Sequence, residues 1–202
     1  MFKKLAIIAL GSISAFAMHT AEININDKDL EFAVNIDVAQ HNHTVEPDTT
    51  FIGVKYLKGT KENSEDENKK QVNINELYET SFLMKRDVPS SDIKLGIGMK
   101  LNYTRVGGES YMSAPLGIEA DYKFATHIPI TVGAKLYYAP SSLSFAKANN
   151  FLEYRFEGAI NIIDRGSIIV GYRSLDTNFK INAREYDISY NKSGYIGFRF
   201  AF

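Results

Sequence analysis

Hydrophobic and polar side chains take turns along most of this chain. Leu30, Phe32, Val34, Ile36 and Val38 alternate with Glu31, Ala33, Asn35 and Asp37. Leu116, Ile118, Ala120, Tyr122 and Phe124 alternate with Gly117, Glu119, Asp121 and Lys123, and Leu152, Tyr154, Phe156, Ile160 and Ile162 with Glu153, Arg155, Glu157 and Asn161. A period of two marks a β-strand, whose successive side chains point to opposite faces. Less regular stretches of the same kind cover about 50–58, 77–87, 92–105, 129–139 and 167–176. The last ten residues set Ile196, Phe198, Phe200 and Phe202 against Tyr195, Gly197, Arg199 and Ala201. Helical periodicity is nearly absent, so the fold class is all-β.

The links between these segments predict how the strands are joined. Asp164-Arg165-Gly166, Ala125 to Pro129 and Val88 to Ser91 are short and turn-like. Asp176 to Asn191, Ala139 to Asn150, Val106 to Tyr111 and the charged Gly59 to Glu76 are the longer links. That alternation fits a transmembrane antiparallel up-and-down β-barrel with small periplasmic turns and longer extracellular loops. Counting back from the carboxyl terminus gives eight strands to Thr50, and Leu30 to Val38 makes a ninth. Single-chain bacterial barrels have an even count. A short strand at Glu22 to Asn26 would make ten, the favoured number; eight strands with an amino-terminal segment is the other solution.

Alternation alone does not say which face points inward. A lipocalin-like soluble barrel has the same period with an apolar interior. Strands of about ten residues, an aromatic carboxy-terminal residue, and Tyr56, Tyr78, Tyr103, Phe124 and Tyr138 near strand ends favour an apolar exterior flanked by aromatic girdles. The lumen then receives Lys55, Lys85, Lys94, Lys100, Lys123, Lys135, Arg155, Arg173 and Arg199 with Glu31, Asp37, Glu79, Glu119, Asp121, Glu153 and Glu157. Nine positive and seven negative charges in so narrow an interior predict cross-lumen ion pairs and a filled barrel. A pore for small solutes would instead be marked by rings of one charge sign.

Composition adds exclusions. Lys3 and Lys4, the apolar Leu5 to Leu10 and Ala15-Phe16-Ala17 read as a secretory signal peptide over residues 1–17, leaving 18–202 as one barrel domain. Beyond it no apolar run is long enough for a transmembrane helix. Without Lys3 and Lys4 the 23 basic residues become 21, against 24 acidic, which argues against a nucleic-acid partner. There is no cysteine, hence no disulfide or thiol chemistry.

His41-Asn42-His43 with Glu46 and Asp48 offers donors for Zn²⁺ or Cu²⁺, but these are also turn residues, and no metal or other cofactor is expected. Lys61 to Asn68 carries four carboxylates without the spacing of a calcium loop and reads as a solvated loop. His41, His43 and His127 fall at the periplasmic end and His19 near the processing site, leaving no histidine for a surface active site; no catalytic residue is assigned and no enzyme activity is expected.

The carboxy-terminal third resembles the YfaZ family of outer-membrane proteins. The resemblance is carried by Val132-Gly133-Ala134-Lys135-Leu136-Tyr137-Tyr138-Ala139-Pro140, Asn150-Phe151-Leu152-Glu153-Tyr154, Gly171-Tyr172-Arg173 and Gly197-Phe198-Arg199-Phe200. It implies an exported barrel of the outer membrane and brings no reaction or catalytic residues with it. The expected partners are outer-membrane lipid and lipopolysaccharide, with the barrel-assembly machinery engaged through the strand bearing Ile196, Phe198, Phe200 and Phe202. The expected state is a monomer with a structural or surface-interaction role.

Overall fold

The computed structural model describes residues 19–27, 29–58, 75–106, 109–126, 129–181 and 184–202. Residues 1–17, the run 61–70 and His127 lie outside them. The strands are β1 (Thr20–Ile25), β2 (Leu30–Asp37), β3 (Thr50–Lys58), β4 (Leu77–Asp87), β5 (Ile93–Val106), β6 (Glu109–Ser113), β7 (Leu116–Phe124), β8 (Ile130–Ala139), β9 (Ser144–Ala146), β10 (Ala148–Ile163), β11 (Gly166–Ile181) and β12 (Arg184–Ala201). All except β6 and β9 form the ten staves of a closed antiparallel barrel. Each stave pairs with the next in sequence, and β1 pairs with β12 to close it.

Ten is therefore the strand number, and the six-residue β1 is the piece that makes it even. Its register runs from Thr20 opposite Ala201 to Ile25 opposite Ile196, with Asn35 to Leu30 on its other side. Every backbone group of so short a strand finds a partner only because both neighbours are present. His19 and Phe202 extend the seam by exchanging N–H···O bonds of 3.1 and 2.9 Å.

Side-chain period fixes the two surfaces. Paired residues share a face, so Ile97 lies against Ile118 and Ile118 against Leu136, all outward, while Glu119 faces Lys135 inward. Ile97 is 65% and Ile118 59% exposed, whereas Glu119, Arg155 and Glu157 are buried. This is the reverse of a water-soluble barrel's distribution.

The long links hold more structure than the sequence suggests. Residues 176–181 belong to β11 and 184–191 to β12, and the pairing of the two strands continues to Ile181 opposite Arg184. β6 continues the line of β7 beyond Ala114-Pro115, and β9 continues that of β8 beyond Pro140 and a 3₁₀ turn, Ser141–Leu143. β6 and β9 then pair, Tyr111 with Ala146 and Ser113 with Ser144. Register against β5 runs on across Pro115, from Met99 opposite Leu116 to Asn102 opposite Ser113, with the Lys100 N–H donating to the Pro115 carbonyl at 2.9 Å, so β6 and β9 extend the barrel wall at the loop end.

Inward glycines make room for large neighbours. A Cβ on Gly117 would run into the Tyr137 ring and the Leu136 carbonyl, whereas one on the outward Gly158 would meet only the Val170 carbonyl at 3.9 Å. Gly117→Val is expected to destabilise the barrel by about 1–3 kcal/mol or prevent its closure, with Gly158→Ala near neutral. Urea unfolding followed by tyrosine fluorescence and gel mobility of the unboiled protein distinguishes the two.

Candidate functional site

The interior is a stack of ion pairs. Lys55 and Lys100, from β3 and β5, both reach Glu79 on β4 and Glu153 on β10, at 2.7 and 3.4 Å for Lys55 and at 3.4 and 2.6 Å for Lys100. This four-membered group spans the lumen. Beside it Lys85 holds Glu119 at 2.9 Å and Asp121 at 2.7 Å, and the Tyr137 hydroxyl donates to Glu119 at 2.8 Å. The Lys100 ammonium also lies 4.0 Å from the centre of the Tyr137 ring.

A second group sits at the seam. Arg199 bridges Glu22 and Glu157 at 2.7 Å each, and Lys135 approaches Glu157 at 3.4 Å. Arg155 places one guanidinium nitrogen 2.9 and 2.7 Å from the two oxygens of Glu31, and Arg173 donates to the same carboxylate. Arg173 also donates to Asn191 at 2.9 Å, and Asn191 donates in turn to Asp29. Glu31 is 0% exposed. It is satisfied by two arginines and by the Asn24 amide at 2.8 Å.

Among the described residues, seven cations (Lys55, Lys85, Lys100, Lys135, Arg155, Arg173, Arg199) thus meet eight carboxylates (Glu22, Asp29, Glu31, Glu79, Glu119, Asp121, Glu153, Glu157) inside the barrel, Asp29 lying 3.8 Å from Arg173. Such matching is what a narrow interior requires, because an unpaired buried charge costs several kcal/mol.

Three residues expected in this network do other work. Asp37 is buried but meets no cation: its carboxylate accepts from the backbone N–H of Ala39 at 3.0 Å and of Asp48 at 2.7 Å, fixing the turn after β2. Lys94 lies at the turn-end rim, 2.6 Å from Asp48 and 3.7 Å from the exposed Asp87. Lys123 is exposed at the same mouth and makes no ion pair among the described residues. Strand parity gives a side chain's face but not its height, so rim positions cannot be told from deep ones by alternation. Conversely, Glu22, Asn24 and Asp29 were missed because β1 is too short to display a convincing period; the alternation of Glu22 and Asn24 with Ile23 and Ile25 was the available signal.

The loop end is closed by apolar packing. Leu57, Leu77, Tyr111, Ala139, Phe151, Leu175 and Tyr190 form one buried cluster, with Leu143 of the 3₁₀ turn against it. Tyr111 is carried in by β6, and its hydroxyl donates to the Asn150 carbonyl at 3.1 Å; Tyr190 donates to the Asn75 carbonyl. The turn-end half is not filled: a cavity of about 630 Å³ reaches from the mouth at Asp48, Ser91 and Asp92 up to Tyr137 and Glu153. The lumen is therefore one-ended, filled above and hollow below.

At the turn after β2, His41 and His43 are exposed and Asn42 accepts from both the N–H and the hydroxyl of Thr44, at 3.1 and 2.7 Å. Among the described residues no group of three or more histidines, aspartates and glutamates is placed to hold a metal.

Removing one member of the Glu31 group strands its partners. Arg155→Met is expected to lower stability by about 3–5 kcal/mol, and combining it with Glu31→Gln to recover part of that loss. A double-mutant cycle by urea unfolding measures the coupling.

No curated protein gives a significant match to this chain. A family model described as YfaZ precursor matches residues 2–202. With an apolar-walled ten-stranded barrel and a charge-paired interior on record, that match spans essentially the whole sequence, and the chain belongs to the YfaZ family.

Proposed function

We propose that this protein is an integral outer-membrane barrel whose lumen does not conduct, with a structural or surface-interaction role and no catalytic activity. The observation that carries the reading is the continuous apolar exterior. Leu95, Ile97, Met99, Leu116, Ile118, Leu136, Val170 and Ile196 stand exposed around the wall, while ionic groups occupy the inside. An apolar surface encircling the molecule is far larger than soluble monomers carry and suits hydrocarbon.

Aromatic pairs near both ends support the same placement. Tyr56 and Tyr78 lie tilted against each other with ring centres 5.5 Å apart at the loop end, and Tyr122 and Phe124 lie 4.7 Å apart at the turn end. The family description, a precursor, agrees with export and a cleaved leader. In this orientation the turn end faces the periplasm, lipid and lipopolysaccharide surround the wall, and β12 with its terminal aromatics is the strand offered to the assembly machinery. The barrel closes on itself and needs no second copy.

The protein is expected to fractionate with detergent-extracted outer membrane and to migrate differently before and after boiling; recovery in the soluble periplasm would refute the reading. Ile118→Lys sharpens the test. At mid-bilayer it costs about 2–4 kcal/mol and depresses assembly, whereas on a water-exposed wall it is near neutral.

A narrow channel is the second reading, and the apolar cluster at the loop end disfavours it. Planar-bilayer recordings of refolded wild-type protein are expected to show no stable steps. Tyr111→Ala, which takes the β6 side chain out of that cluster, is expected to raise the frequency of brief openings. Regular wild-type steps would replace the closed-barrel reading with the channel.

A further inference from the structure

The hollow half of the lumen has two unlike sides. Phe51 on β3 and Leu83 on β4 are direct cross-strand partners that point inward, break the polar interior pattern, and line the cavity while only half-buried. Neither belongs to the apolar cluster that shuts the loop end. They leave apolar surface open to the cavity, where it contributes nothing to lipid contact or to the core.

Around the same mouth the wall is charged, from Lys85 at the end of β4 through β5 and β7 to β8. The ammonium of Lys94 is engaged by Asp48, and those of Lys85 and Lys135 by Glu119, Asp121 and Glu157. Lys123 is different: it lines the cavity, is exposed, and has no ion-pair partner among the described residues. A volume of about 630 Å³ is within the range of small-molecule sites. The cavity also ends blindly below the apolar cluster, so a molecule that enters does not pass through.

We infer that the turn-end cavity is a binding site for a small amphipathic anion, its apolar body against Phe51 and Leu83 and its carboxylate or other acidic group at Lys123. The site takes one charge because Lys123 is the one lining cation without an ion-pair partner among the described residues. Entry is from the turn end alone, which in the membrane reading is the periplasm. The inference rests on the cavity and not on where the barrel resides, so its failure and a failure of the outer-membrane assignment are separately visible.

The test uses the full mature barrel in nanodiscs, with octanoate as the probe and octyl alcohol, which has the same chain without the charge, as the control, both followed by isothermal titration calorimetry with empty nanodiscs subtracted. Saturable octanoate binding is expected near one per barrel, with octyl alcohol at least tenfold weaker. Lys123→Glu is expected to weaken octanoate at least tenfold and Phe51→Ser about tenfold, while Lys192→Glu, on the outward face near the loop end, leaves it unchanged. Lys123 is exposed, so its variant folds, and unboiled gel mobility verifies this. No saturable binding beyond empty nanodiscs, equal binding of alcohol and acid, or octanoate binding indifferent to both Lys123→Glu and Phe51→Ser would each overturn the inference.

Discussion

Closure of the sheet through β1 and β12 is the constraint on which the rest depends. Thr20–Ile25 supplies only six residues, yet it satisfies both the free edge of β12 and the free edge of β2. Once the ring is shut, each residue's parity becomes a choice between two environments, and a slip of one position would turn every side chain to the wrong face. Gly197 beneath Asn24, and Arg199 against Glu22 at 2.7 Å, show the seam's register written into its side chains as well as its backbone.

The interior charges follow from this geometry. A ten-stranded ring leaves a core only a few side chains across, so lysine, arginine and glutamate from opposite walls meet. The shared use of Glu79 and Glu153 by Lys55 and Lys100 ties β3, β4 and β5 to β10 across the lumen. Pairing of this kind gives register and shape more surely than net stability. The apolar cluster at the loop end is separate from this stack: Leu57, Leu77, Tyr111, Ala139, Phe151, Leu175 and Tyr190 pack there with one another. The two ends of the barrel therefore differ chemically: one is an apolar lid and the other an open polar cup with a single apolar patch.

Much of the fold was legible because period-two alternation reports face directly. The limits of β3, β4 and β7 were read almost to the residue, and the seam strand was placed at Glu22 to Asn26 although it begins at Thr20. The loops were read less well. Residues 176–181 and 184–191 lack a clean alternation yet continue the pairing of β11 with β12, because pairing with an adjacent strand outweighs local propensity. For the lumen, parity placed Glu31, Glu79, Lys100, Glu119, Glu153, Arg155, Glu157 and Arg173 on the inward face, where they are buried. It overextended the network to Asp37, Lys94 and Lys123, which share that face but stand at the turn end.

The sequence by itself determined the strand pattern, the apolar and polar faces and the near balance of interior charge, because these are local properties of alternating side chains. Only the tertiary structure decided which charges meet, that β6 and β9 pair to extend the wall at the loop end, and that Phe51 and Leu83 share a cavity with Lys123. Those outcomes depend on shear and depth along the barrel axis, which join residues 100 or more positions apart, such as Glu31 and Arg155. A one-dimensional period carries no information about that third coordinate.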